Sequence, residues 1–141
     1  MKAHTYLELI EKYDRMIESR KYEIMELKSE SGLVTHYALD IKVQTTKRND
    51  KTENIIISSM AREGELQDQI YELWKKRQTI IKSIEELSAK EYGLLYYLYV
   101  ERISMQEAAD RFDRSYNWVA LTKRKALDDL QKILDEREKP R

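Results

Sequence analysis

Apolar residues recur near the start of the chain in steps of four and three: Tyr6, Ile10, Tyr13, Ile17, Arg20, Ile24 and Leu27. Six of these seven positions are apolar or aromatic, a 3.5-residue seam that predicts a long amphipathic helix from about Tyr6 to Leu27. Thr5 and Glu8 have the spacing of a capping box at its head, and Gly32 is suited to end it. From residue 29 to 51 the pattern changes. Tyr37, Leu39, Ile41 and Val43 alternate as in a strand, and Lys47-Arg48-Asn49-Asp50 reads as a turn. Asp50 and Glu53 repeat the cap spacing, so a second long helix is expected from there.

The seam of that second helix is Leu66, Ile70, Leu73, Arg77, Ile80, Ile84 and Leu87, with Ile55, Ile56, Ile57 and Met60 adding apolar surface upstream. Gly64 lies inside it, where glycine costs about 1 kcal/mol relative to alanine and marks a bend or a close approach. Two such helices joined by a loop suggest an antiparallel hairpin or a coiled-coil oligomer. Arg20 and Arg77 each interrupt a seam. Either each extends to the rim of the apolar surface, or each is a paired charge that fixes register. If the helices fold back on one another, Arg20 is expected near Glu63.

From residue 88 onward the elements shorten. Ser88 and Glu91 form a capping box ahead of the run Leu94-Leu95-Tyr96-Tyr97-Leu98-Tyr99-Val100. Ser104 and Glu107 form another before a short helix, Met105 to about Phe112. A break at Asp113-Arg114 follows, and Ser115 caps a last helix that runs to about Leu134. The tyrosine-rich run suits core packing better than base stacking, with hydroxyls reaching the rim.

Composition narrows the choice of function. The 141 residues hold 26 Lys+Arg and 26 Asp+Glu, so formal net charge is zero and any nucleic-acid site must be a local patch. There is no Cys, which excludes disulfides and thiolate chemistry and is compatible with a reducing cytosol. No apolar run reaches the ~18 residues of a membrane span, and no signal core opens the chain, so a cytoplasmic protein that does not enter membranes is expected. One Pro and three Gly leave few tight turns for a many-stranded fold. His4 and His36 have no second nitrogen ligand at metal spacing. The carboxylates sit at helical surface spacings, often four from a basic residue, and no phosphate loop or nucleophile elbow is present. No cofactor, no metal and no enzymatic activity are expected.

The segment Ser104 to Leu127 has the layout of a helix-turn-helix. Ala108 and Ala109 supply small residues where the second helix crosses the first, and Asp113 tolerates the positive dihedral that the turn requires. Val119, Ala126, Leu127 and Leu130 recur inward. Arg111 to Lys125 contains five basic residues and one acidic, a net +4 within a neutral chain. On the outward side, Tyr116, Asn117, Ala120 and Arg124 are candidates for contact with base edges, Asn117 by paired hydrogen bonds to adenine. Arg111, Arg114, Ser115, Lys123 and Lys125 are candidates for phosphate contact. The basic residues Lys42, Lys47, Arg48 and Lys51 are read as solvated, or as touching the DNA backbone.

The stretch Ser88 to Leu130 resembles the region-four DNA-binding domain of bacterial sigma factors. The resemblance is carried by Leu95 and Tyr99, Ile103-Ser104, Glu107-Ala108-Ala109, Ser115 with Val119, and Lys125-Ala126-Leu127 with Leu130. Asp113 stands where that family usually has Gly, and Arg114 where an apolar residue anchors the turn. The segment Ile41-Lys42-Val43-Gln44-Thr45-Thr46 is similar to one in the ArpU-like late-gene transcription regulators of Gram-positive phages and prophages. These resemblances imply a sequence-specific regulator of transcription that binds double-stranded DNA, with RNA polymerase a candidate second partner.

The expected architecture is therefore all-α. Residues 1–87 form a coiled-coil-like helical hairpin, with an irregular or extended loop at about 30–51, and mediate homodimerisation. Residues 88–141 form a three-helix, sigma-region-four-like helix-turn-helix domain. Two alternatives fit the same layout: a DNA-packaging protein like a small terminase subunit, and a helical module that binds the transcription machinery.

Overall fold

The computed structural model describes the backbone of residues 1–40 and 46–140, and the side chains of residues 1–29 and 53–140. Among the described residues the fold is all-α, and no strand occurs. The elements are α1 (Ala3–Asp40), α2 (Thr46–Glu85), α3 (Ala89–Leu95) running into a π-helical turn (Tyr96–Val100), α4 (Met105–Phe112) and α5 (Tyr116–Glu138).

The front of the chain is more helical than its pattern predicts. Tyr37 and Leu39 lie in α1, which continues past Gly32, and Lys47-Arg48-Asn49-Asp50 lie in α2. The strand and turn readings of these residues are corrected accordingly, and the loop expected at about 30–51 is helical over residues 30–40 and 46–51, while residues 41–45 lie outside the described residues. Ile41 and Val43 fall outside the described residues. A short apolar run fits more than one period: Leu33 and Tyr37, like Val34 and Ala38, are also four apart. A lone strand would leave its backbone donors and acceptors unpaired, whereas a helix satisfies them within itself.

Thr5 and Asp50 are likewise interior to helices, not caps. The Ala3 N–H at the head of α1 is instead accepted by the Gln131 Oε1 of α5 at 2.7 Å, and Gln131 Nε2 donates to the Met1 carbonyl at 3.0 Å. A side chain 128 residues away thus does the work expected of Thr5.

The chain divides into two compact units, Met1–Asp14 with Lys75–Arg141, and Arg15–Trp74. This division does not coincide with the boundary expected at residue 88. The reason lies in the first unit's core, where Leu7, Ile10, Ile80, Ile81 and Ile84 cluster with Leu95, Tyr99, Val100, Ala126, Leu130 and Leu134. The ends of α1 and α2 bury their apolar faces on the same surface that closes α3 and α5. A smaller cluster, Leu94, Ala108, Ala109 and Val119, joins α3, α4 and α5, with Phe112 and Trp118 packed at its edge.

Arg77 and Asp14 sit at the edge of this unit. Arg77 Nε donates to Asp14 Oδ1 at 2.6 Å, and Arg102 Nη1 donates to Asp14 Oδ2 at 2.9 Å. Arg77 and Asp14 are only 20% and 22% exposed, so this seam arginine is a paired charge. Arg102 holds a left-handed backbone, φ 57°, between the π-helical turn and α4.

In the second unit Ile17, Leu66 and Leu73 are buried, and the pairs between α1 and α2 show that the two helices run in opposite directions. Arg20 Nε donates to Gln69 Oε1 at 3.0 Å, Arg62 pairs with Glu23 at 3.1 Å, and Lys28 pairs with Glu63 at 3.4 Å. The expected neighbour of Arg20, Glu63, lies six residues away from Gln69, roughly 9 Å along the helix. The register places an amide opposite Arg20 and gives Glu63 to Lys28.

Two outcomes test this packing. Asp14→Ala leaves two guanidinium groups without their carboxylate and is expected to lower the unfolding free energy by about 2 kcal/mol in urea titrations. Tyr99 reports on the core at high pH. Its hydroxyl lies 2.6 Å from His4 Nδ1, and burial, with a smaller contribution from the Glu8 charge, pushes its phenol up to about 12. Above pH ~10 the unfolded chain releases this proton while the folded chain retains it. Stability is therefore expected to fall as pH rises from about 10 to 12, and less steeply in Tyr99→Phe.

Candidate nucleic-acid interface

The second helix of the α4–α5 pair is aimed by three consecutive residues. Ser104 caps α4, accepting from the Glu107 N–H at 3.1 Å. The helix ends at Asp113, whose backbone is left-handed (φ 54°, ψ 48°), as the sequence predicts for this position. The Arg114 N–H donates back to the Ala109 carbonyl at 3.0 Å. Ser115, in extended conformation, then caps α5 by accepting from the Trp118 N–H at 3.1 Å. The crossing point is small: Ala108, Ala109 and Val119 have no exposed surface. An aspartate manages the turn because its short polar side chain tolerates the left-handed region better than most non-glycine residues.

Along α5 the buried residues are Val119, Thr122, Ala126, Leu130 and Leu134, a stripe with steps of three and four. The opposite face therefore carries Asn117, Ala120, Leu121 and Arg124. Asn117 and Arg124 are exposed, and Ala120 is half-buried. Tyr116 is 53% exposed at the flank of this face, with its hydroxyl 3.8 Å from the Met105 sulfur at the start of α4. Leu121 is 59% exposed, although it is apolar. The pattern of the sequence did not single it out. The signal was there in its phase: it stands two residues from Val119 and nine from Leu130, on the far side of the helix from both.

The cations divide into two sets. Arg111 is held by Glu101 at 3.2 Å and Glu107 at 3.3 Å, and its guanidinium lies 5.0 Å from the centre of the Tyr97 ring. Two carboxylates offset its charge locally. Arg114 and Lys90 both lie over Trp118, at 5.5 and 5.8 Å from a ring centre. Trp118 packs in turn on Phe112, 5.4 Å between centroids. The apolar anchor expected at Arg114 is thus supplied by Phe112 and Trp118, and the arginine stacks outside them. Lys90, which the sequence pattern did not single out, joins this group from the start of α3. Lys123 is half-buried and leans across the Tyr99 ring at 5.9 Å. Arg124 and Lys125 are exposed, as is the capping Ser115.

Asn117, Ala120 and Arg124 thus share one face with Leu121, and Tyr116, Lys123 and Lys125 flank it. Arg114, Ser115 and Lys90 gather at the head of α5, while Arg111 is tied to α4 and to Glu101. Such a helix end offers free backbone N–H groups beside fixed cations, and a middle with amide, apolar and guanidinium groups in succession. Chemically it can hold phosphate oxygens at one end and contact polar edges and methyl groups along its length.

Among the described residues, no group of three His, Asp or Glu could hold a metal ion, and no helix is long and apolar enough to cross a membrane. Comparisons of the chain with protein-family models, with curated proteins and with solved structures find no match.

The cap at Ser115 is the most direct test of how α5 is aimed. Ser115→Ala removes the acceptor for the Trp118 N–H and is expected to cost about 1 kcal/mol in thermal or urea unfolding, whereas Ser115→Asp largely retains it.

Proposed function

We propose that the chain is a sequence-specific regulator of transcription that binds double-stranded DNA, with α4 and α5 acting as a helix-turn-helix like that of sigma region four. The observation that carries this reading is the outward face of α5. Asn117, Leu121 and Arg124 are exposed in succession on a helix whose head is ringed by Lys90, Arg114 and Ser115. A major groove about 12 Å wide admits such a helix.

In this reading Asn117 reads adenine, and Arg124 pairs with guanine or with a neighbouring phosphate. Ala120 and Tyr116 lie against base edges or sugars. Arg114, Ser115, Lys123 and Lys125 hold phosphates, and Arg111 serves there only by exchanging a carboxylate for a phosphate. A neutral chain with a local +4 segment gains its affinity from that patch and not from a general field. One reader of this size covers about 600–1,000 Å² of its own surface, so a homodimer through the N-terminal helices would supply a second half-site. The resemblance to ArpU-like regulators extends the proposal to late-gene control in a phage or prophage within the bacterial cytoplasm, with RNA polymerase as a further partner.

The test is selection from a random duplex pool with the full chain, followed by binding measurements on the selected sequence at several salt concentrations. Arg124→Ala combined with Lys123→Ala is expected to weaken binding at least tenfold and to lower the salt slope by about one for each phosphate that is no longer neutralised. Asn117→Ala is expected to relax the preference at one base pair, a loss of about 1–3 kcal/mol of discrimination. Failure to enrich any sequence at low salt, or unchanged affinity in the double variant, overturns the assignment.

A further inference from the structure

A second seam runs along α2 on a side that the α1–α2 pair does not cover. Ile57, Met60, Gly64, Gln67, Tyr71 and Trp74 follow one another in steps of three, four, three, four and three, the spacing of a coiled-coil face. None of the six is charged, although Arg62, Glu63, Glu65, Asp68 and Glu72 lie between them. Ile57 is 57% exposed, Met60 65%, Tyr71 59% and Trp74 48%. The seam that packs against α1 is a different one, in which Leu66 and Leu73 are buried.

The bulky apolar residues are placed symmetrically along this seam. Two bulky side chains stand at each end, Ile57 and Met60 against Tyr71 and Trp74, and the smallest position, Gly64, stands beside Gln67 at the middle. Reversing the helix about a point between Glu65 and Leu66 sets Ile57 on Trp74, Met60 on Tyr71 and Gly64 on Gln67. That exchange is what a two-fold interface requires, since each contact must occur twice with the partners swapped. Gly64 adds an independent argument. A Cβ built there would meet nothing within 4 Å, so the chain's own packing gives no reason for a helix-interior glycine that costs about 1 kcal/mol. The Gln67 side chain of a second copy, seated over Gly64 at the centre of the seam, would give one.

From these observations we infer that α2 carries a self-association face, and that two copies of this chain pair antiparallel along Ile57, Met60, Gly64, Gln67, Tyr71 and Trp74. This pairing rests on the homodimer in the reading above, gives it a surface, and does not depend on DNA binding. Four half-exposed side chains and their neighbours remove roughly 400–500 Å² per copy, short of the ~800 Å² per partner of a standard interface. The pair is therefore concentration-dependent.

Because the chain has no Cys, single cysteines in the full-length protein give a clean test, performed without DNA. Met60→Cys and Tyr71→Cys are prepared separately, one with a size tag, and treated with a short bismaleimide alone and mixed. The antiparallel face predicts a cross-linked product in the mixture at least fivefold above either variant alone. Strong cross-linking of each variant with itself indicates a parallel pair and overturns the inference, as does the absence of any product at the highest protein concentration that stays in solution. Met60→Glu supplies a second readout. The residue is exposed, so helicity by circular dichroism should be unchanged while sedimentation shifts to the monomer. A dimer unaffected by Met60→Glu overturns the face. Because DNA selection is scored separately, loss of the dimer and loss of DNA binding are distinguishable.

Discussion

Val119, Thr122, Ala126, Leu130 and Leu134 recur every three or four residues along α5, and all five are buried. Their stripe reaches both apolar clusters of the first unit, Val119 with Ala108 and Ala109, and Ala126, Leu130 and Leu134 with Leu7, Ile10 and Ile84. A helix anchored over this length cannot rotate without exposing leucines on one side and burying Arg124 on the other. Burying an unpaired guanidinium costs several kcal/mol, and each exposed leucine forfeits roughly 2 kcal/mol. The orientation of the outward face is thus set by what lies behind it, and the candidate site inherits its geometry from the core.

The head of that helix is set by different means. Asp113 turns the chain, Ser115 satisfies an early N–H, and the small Ala108 and Ala109 allow close crossing. Around this frame the cations rest on aromatic rings: Arg111 on Tyr97, and Arg114 and Lys90 on Trp118. Rings restrict where a long basic side chain can go and so reduce the entropy lost when it meets an anion. In the proposed role this favours Arg114 and Lys90 over Arg111, whose charge already has two carboxylate partners.

The C-terminal third was legible in the sequence because its signals are local. A serine before a helix with glutamate three residues on, a residue fit for positive φ, and a strict inward stripe all act within a few residues of their own position. The front half was less legible because its determinants are distant. Gln131, not Thr5, caps α1, and Asp14 pairs with Arg77 and Arg102 across 63 and 88 residues. Tyr37 and Leu39 were ambiguous for another reason: the short apolar run around them fits two periods, and for these two residues backbone satisfaction decided between them. Leu121 was not singled out by the pattern, although its helical phase already places it outside.

The pairing at Asp14 also explains how a chain so rich in charge keeps its register. Its two oxygens are divided between an arginine of α2 and one that follows the π-helical turn, so one carboxylate joins the bases of α1 and α2 to the approach of α4. Arg102 reaches it from a left-handed backbone, a conformation that costs a non-glycine residue about 1–2 kcal/mol. A strained residue persists where the surroundings repay the strain, and here the repayment is a charge-assisted hydrogen bond at 2.9 Å in a half-buried site. The position of α4, and through it the aim of α5, therefore rests on an ionic contact at its near end and on apolar burial at its far end. These two fastenings respond oppositely to salt and to cooling. Raised ionic strength loosens the exposed part of the first, while low temperature weakens the second. Any salt dependence of the proposed DNA binding thus has to be read beside salt dependence of folding, because both pass through the same helix.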